Sequence, residues 1–429
     1  MYDIVASQII RERELILLSS FRLRPSVFLI MVTSAYWVRL FGQLYIVEII
    51  LLLLLLKSFI LNQRGISDCI RQYVGYFNLL ALSMFGLVIT DLIRGTEFES
   101  IAKGVALITF TAVNLFSLIV LTRNNLDHVL SAILGWSFGK ILGVIIQPSE
   151  YALEFPWKFG VGYSTTLIFM IYISKLGVSR FRALTLATIL VSAHLIYGAR
   201  SLAAITFIAV ILSLSWKKSH TSNEIRKINT KKTFASILLM SFFAAFFYFS
   251  YSTLSSKGLL GEEAKAKYKM QSSSSLGLLI SGRTEAVSAF IAIQNSPVIG
   301  YGSYAPLTEE IREKVVETLS KNGIAPTIKD LKYGVDYKIP VHSCIFQFWI
   351  WFGIAGVPFW AKMFLESFRA AVSRPITPIL AFLSIQSLWD ILFSPYAADR
   401  RIQIPLTIIL LFVSRNKGLM QKLAAESKI

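Results

Sequence analysis

Apolar residues run along the chain in long blocks separated by short polar connections, and twelve of these blocks are long enough to cross a hydrocarbon core of roughly 30 Å. They lie at approximately 24–38, 44–61, 73–93, 101–121, 126–146, 159–175, 183–199, 201–216, 233–251, 341–361, 374–393 and 401–414. The run Leu51–Leu56 is the clearest hydrocarbon-facing stretch, whereas Glu48 and Lys140 interrupt their blocks and are expected to face protein or water. The pattern predicts an all-α polytopic membrane bundle of about twelve helices. About nine spans occupy residues 1–251 and about three occupy 341–429, with one long, partly helical connection over 252–340 between them.

The connection breaks the rule of short loops, and connections of this length usually carry a function. Thr308 predicts a helix cap ahead of Glu309, Glu310 and Glu313. Ile311, Val315, Val316 and Leu319 follow as an apolar stripe, and Lys321-Asn322-Gly323 reads as its stop. A second helix is expected from Thr284 to about Asn295, with Val287, Phe290 and Ile291 on a side suited to the membrane surface.

Composition then decides what the positive charge means. The 429 residues hold 43 Lys+Arg against 25 Asp+Glu, a net charge of +18, which by itself would suit an anionic partner such as nucleic acid. Only 16% of residues are charged, however, and 13% are aromatic, which excludes a solvated polycation. With the N-terminus inside and the spans alternating, the cytoplasmic segments net +16, the short outer connections zero and the long connection +2. The surplus is thus an orientation signal that places both termini in the cytoplasm, and no nucleic acid is expected as partner. The N-terminal arm carries Arg11, Arg13, Arg22 and Arg24 with no small-residue cleavage site, and reads as a cytoplasmic lead-in.

Several chemistries find no motif. Cys69 and Cys344 form no CxxC pair, and there is no phosphate-binding P-loop, HExxH or Asp-x-Asp. The expectation is metal-independent chemistry without a cofactor. No internal repeat is visible, which weighs against a transporter built from two similar halves.

The outer ends of the spans offer the candidate residues. Gly198-Ala-Arg200-Ser places Arg200 at a membrane boundary, either as a snorkelling arginine or as a bidentate clamp on a pyrophosphate. Ser281-Gly-Arg283-Thr-Glu285 opens the first loop helix. Beyond it, Ser296-Pro-Val-Ile-Gly300-Tyr301-Gly302 reads either as a turn or as a place where backbone N–H groups approach a phosphate. Val341-His342-Ser343 opens the tenth span, so that His342 sits where the loop meets the membrane, suited to removing a proton from a hydroxyl. His194, inside span seven, reads as a hydrogen-bonded structural residue. Lys158, beside Trp157, suits either headgroup anchoring or phosphate binding, and Tyr301 and Tyr304 offer faces for sugar rings.

In this order and on one face, Arg200-Ser, SGRTEAV, SPVIGYG, VHS and Gly353-Ile-Ala-Gly356 resemble the O-antigen polymerase/ligase family, over roughly residues 160–360 by motif and the whole chain by topology. The resemblance implies a glycosyltransferase in the bacterial inner membrane, active at its periplasmic face. Its donor would be an undecaprenyl-pyrophosphate-linked glycan and its acceptor another glycan (polymerase) or lipid A-core (ligase). Other polysaccharide-assembly membrane proteins are expected as neighbours in the bilayer. It assigns His342, Arg283 and Arg200 to catalysis, and Lys158, Gly300, Tyr301 and Gly302 to substrate binding. A transporter or flippase for lipid-linked sugars is the alternative of a different class.

Overall fold

The computed structural model describes residues 21–40, 42–61, 66–175, 180–214, scattered positions between 234 and 269, and residues 285–324, 334–372 and 376–426. Helix α1 (Pro25–Val32) passes through a 3-10 turn into a small antiparallel hairpin, β1 (Trp37–Arg39) with β2 (Gln43–Tyr45). Then come α2 (Ile46–Ile60), the short α3 (Ile66–Arg71), α4 (Val74–Arg94), α5 (Phe98–Thr122) and α6 (Leu126–Ile146). The short α7 (Glu150–Glu154) and a π turn over Pro156–Val161 lead into α8 (Gly162–Lys175), followed by α9 (Arg180–Ile196) and α10 (Arg200–Leu214). The long connection contributes α11 (Glu285–Asn295), β3 (Pro306–Leu307), α12 (Glu309–Lys321) and β4 (Gly334–Lys338), with β3 and β4 antiparallel. Helix α13 (Cys344–Phe352) continues through a 3-10 turn, Gly353–Gly356, into α14 (Val357–Val372), and α15 (Pro378–Phe393) and α16 (Arg400–Glu426) complete the chain.

The protein is all-α, and four helices among the described residues are long and apolar enough to cross a membrane: Val74–Arg94, Phe98–Thr122, Leu126–Ile146 and the joined Cys344–Val372. Shorter apolar helices accompany them, among them Pro378–Phe393, whose 16 residues rise roughly 24 Å at 1.5 Å each. The expected count of about twelve is therefore not reached among the described residues, and the block expected at 233–251 lies largely outside them. At two blocks the apolar pattern runs on through a turn at which the helix stops. Block 24–38 contains α1, a 3-10 turn and part of β1, while block 159–175 begins inside a π turn. The outward side chains of the helices are apolar, as Phe85, Val88, Ile89 and Leu92 show along α4, and the polar groups turn inward.

Small residues set the closest helix packing. Gly135, Gly139 and Gly143 fall at four-residue intervals along α6, and a Cβ at any of them would meet the backbone of Phe28, Val32 or Ala35. The glycine stripe lets α1 lie directly on α6, a contact that dispersion favours in a medium where burial from lipid gives little.

One end of the bundle carries the long connection and is here termed the loop face. Thr90 Oγ1 donates to Ile299 O at 2.5 Å, Arg94 Nε to Gly300 O at 2.9 Å, and Ser303 N to Asp91 Oδ1 at 2.6 Å. These contacts hold the connection on the C-terminal end of α4. Thr308 caps α12 as expected, accepting from Ile311 N at 3.4 Å, and Ile311, Val315 and Leu319 are its buried stripe. On helix α11 Val287 is buried, while Phe290 is exposed and its ring lies 5.1 Å from that of Phe346 on α13.

Candidate active site

The start of α13 fixes the position of His342. Ser343 is the N-cap; its hydroxyl accepts from Phe346 N at 3.3 Å and donates to Ile391 O of α15 at 2.9 Å. His342 is thereby left one residue outside the helix, with its imidazole in the open. Glu285, the first residue of α11, comes to meet it: Oε1 lies 3.6 Å from Nε2, at 36% and 51% side-chain exposure. Glu285 and His342, separated by more than fifty residues in sequence, are thus brought together. Arg283 itself lies outside the described residues.

Val341, the neighbour of His342, lines an open cleft of about 170 Å³ with Tyr304, Ile339, Gln347, Trp351, Pro395 and Tyr396. The rings of Tyr304 and Trp351 stack at 4.6 Å, and Lys103 Nζ sits 5.9 Å from the Tyr304 centroid. Gln347 is held by Tyr396, accepting from its N–H at 2.8 Å and donating to its carbonyl at 3.3 Å. Burial pushes the Tyr304 phenol above its ordinary pKa against the pull of Lys103 and Arg401, so it stays a neutral donor near pH 7.

The Gly300-Tyr301-Gly302 segment has another occupation. Tyr301 N donates to Ile350 O at 2.7 Å and Gly302 N to Trp351 O at 3.2 Å, while Ile354 N donates to Val298 O at 3.1 Å. The N–H groups expected to meet a phosphate are spent on the broken helix at Gly353–Gly356. Both glycines have positive φ, 84° and 88°, and a Cβ on Gly300 would stand 2.6 Å from Gly353 N. The two Gly-rich motifs are halves of one joint, in which the loop strand fills the break in the helix. Tyr301 lies under Arg94, whose guanidinium is 5.1 Å from its ring.

Lys158 and Arg200 occupy adjacent turns. Trp157 Nε1 donates to His194 Nδ1 at 2.8 Å and its ring lies 5.5 Å from Tyr197, which ties the turn holding Lys158 to the α9–α10 turn where Arg200 begins α10. His194 is fully buried and also bonds Thr166 Oγ1 at 3.0 Å, the structural use expected of it. Lys158 Nζ lies 4.7 Å from the Phe159 ring, an arrangement suited to an interfacial anchor.

A second set of charges joins Glu48 and Lys140, expected from the sequence to avoid lipid, to partners that the sequence does not name. Arg401 Nη2 donates to Glu48 Oε2 at 2.8 Å and to Gln43 O at 2.5 Å, with Asn114 Nδ2 donating to Glu48 Oε1 at 2.9 Å. Arg400 pairs with Asp390 and bonds Gln403 Oε1 at 2.9 Å; Gln403 in turn donates to Tyr163 OH at 2.8 Å. Lys140, expected to avoid lipid, donates to Tyr45 OH at 3.1 Å. Arg400 and Arg401 open α16 and meet carboxylates on different helices; the placement of Asp390 ten residues before Arg400 is the one local signal. No protein-family model, curated protein or solved structure matches this chain.

Proposed function

We propose that this protein is a glycosyltransferase that polymerises undecaprenyl-pyrophosphate-linked repeat units at the periplasmic face of a bacterial inner membrane, with both termini in the cytoplasm. The observation that carries the reading is the Glu285–His342 pair, accessible at the loop face and flanked by an aromatic-lined cleft. The acceptor hydroxyl attacks the anomeric carbon of the donor; a carbon–oxygen bond to the acceptor forms as the bond to pyrophosphate breaks. His342 takes the hydroxyl proton, and Glu285 orients the ring and stabilises the imidazolium that results. Leaving-group charge on the pyrophosphate calls for cations in a site that excludes water, the part assigned to Arg283 and Arg200, with Lys158 in the neighbouring turn. None of these steps uses a metal or cofactor.

The buried charges favour catalysis over transport. Glu48 and Asp390 are each neutralised by an arginine, which leaves neither carboxylate free to carry an ion or a proton across the membrane. Deletion of the gene tests the reading. Single repeat units on the core indicate a polymerase; long chains left on the carrier lipid indicate a ligase acting on lipid A-core; an unchanged surface glycan overturns both.

A further inference from the structure

We infer that the cleft beside His342 is a carbohydrate subsite that holds one sugar ring of the acceptor against Tyr304 and Trp351. The inference rests on the glycosyltransferase reading and names the substrate contact within it. At about 170 Å³ the cleft is well below the roughly 300–1,000 Å³ typical of pockets for drug-sized ligands, and its size suits a single pyranose. Its lining is mixed in the way sugars require. Tyr304 supplies aromatic surface for the C–H face of a ring, with the nearly buried Trp351 packed against it, while Ile339, Val341 and Pro395 close the other sides.

Polar groups are present and uncommitted. Among the described residues, the Tyr304 hydroxyl and the Trp351 indole N–H make no hydrogen bond, and Trp351 is 7% exposed. The Gln347 amide and the Tyr396 backbone satisfy one another, so they shape the floor and leave the ligand's hydroxyls to Tyr304 and Trp351. The cleft is built as well as lined. Tyr304 holds a left-handed φ of 52°, and the preceding Ser303 is locked by both carboxylate oxygens of Asp91, at 2.6 and 2.8 Å. Trp351 is fixed from the other side by its carbonyl, which accepts from Gly302 N. Both ring positions are thus set by the joint between SPVIGYGS and the broken helix, which gives that joint a role in recognition. A lipid acyl chain is the rival occupant, and it would leave two donors unsatisfied in the cleft.

The test uses purified full-length protein in lipid nanodiscs and the repeat-unit oligosaccharide released by mild acid from the gene-deletion strain. Binding is followed by saturation-transfer NMR, and transfer by the rate of chain extension. Tyr304→Leu is expected to weaken oligosaccharide binding and raise the acceptor KM about tenfold with little change in kcat, as loss of a stacking face requires, and Trp351→Leu, which removes the ring packed against Tyr304, to raise KM in the same direction. Tyr304→Phe keeps the ring and should retain most of the affinity, which separates stacking from general damage. Wild-type KM in both leucine variants, or loss of binding in Tyr304→Phe equal to that in Tyr304→Leu, would overturn the subsite. So would displacement by a dodecyl chain that the oligosaccharide cannot match. If the deletion strain has unchanged surface glycan, the enzymatic reading itself fails; if the glycan changes and only the leucine variants behave as wild type, the subsite alone fails.

Discussion

The molecule holds two kinds of acid–base pair, and their surroundings divide them. Arg401 and Glu48 meet at 2.8 Å with side chains 8% and 0% exposed, and Glu48 accepts further bonds from Asn114 and the Tyr45 N–H. His342 and Glu285 stand 3.6 Å apart at 51% and 36% exposure, close enough to feel one another and open to an incoming molecule. A sealed pair has its charge consumed by its partner, and breaking it leaves an ion stranded in a medium that cannot solvate it. An open pair costs little to keep and can exchange a proton with substrate. The cations that hold the bundle together are therefore different residues from those placed to do chemistry.

The largest expected effect comes from breaking the sealed pair. Glu48→Ala leaves Arg401 buried without its carboxylate and should destabilise the protein by about 3–5 kcal/mol, read as a lowered unfolding temperature in detergent. Replacing both residues, as Glu48→Leu with Arg401→Met, should recover most of that loss; a double variant as unstable as the single would contradict the account. Next is the joint. Gly302→Ala places a methyl group 2.7 Å from Asp91 Oδ1 at a φ of 88°, and should cost about 1–3 kcal/mol by the same measurement. The open pair should behave in the opposite sense: Glu285→Gln is expected to leave the unfolding temperature unchanged while slowing transfer about tenfold, since only orientation and charge at His342 are lost.

A smaller effect is expected with pH. Burial works against the Asp399 carboxylate, and Lys140 and Arg400 outweigh it, holding its pKa below the usual value. A depressed folded-state pKa contributes stability that is present above the unfolded value of roughly 3.9 and is lost as pH falls through the folded value. Asp399→Asn should flatten that acid limb of the stability profile, checked by unfolding temperatures across mildly to strongly acidic pH.

What could be read from the sequence divides along the same lines of locality. The Thr308 cap, the stripe of Ile311, Val315 and Leu319, and the stop at Asn322-Gly323 are set within one helix, and all appear. Glu48 and Lys140 were legible as inward-facing because lipid would not hold them, yet their partners were not: Arg401 is more than three hundred positions from Glu48. Four long apolar helices and several shorter ones stand among the described residues, and hydropathy continues through the 3-10 turn after α1 and the π turn before α8, where a block outruns its helix. At the site, VHS and SGRTE could be named separately, but the meeting of His342 with Glu285 depends on how α11 lies on α13. The glycines of GYG were read as turn formers or phosphate binders; the carbonyls of Ile350 and Trp351 that occupy their N–H groups belong to a helix fifty residues further on.

Transfer by purified protein in proteoliposomes tests the central claim most directly. Wild-type protein and His342→Ala would each be given undecaprenyl-pyrophosphate-linked repeat units from the deletion strain, with product length followed on a gel. The account predicts that the wild type builds polymer, and that His342→Ala inserts and melts like the wild type but transfers about 10²–10⁴-fold more slowly, the range for loss of a general base. Polymer formed at the same rate by His342→Ala, or none formed by the wild type, would contradict it.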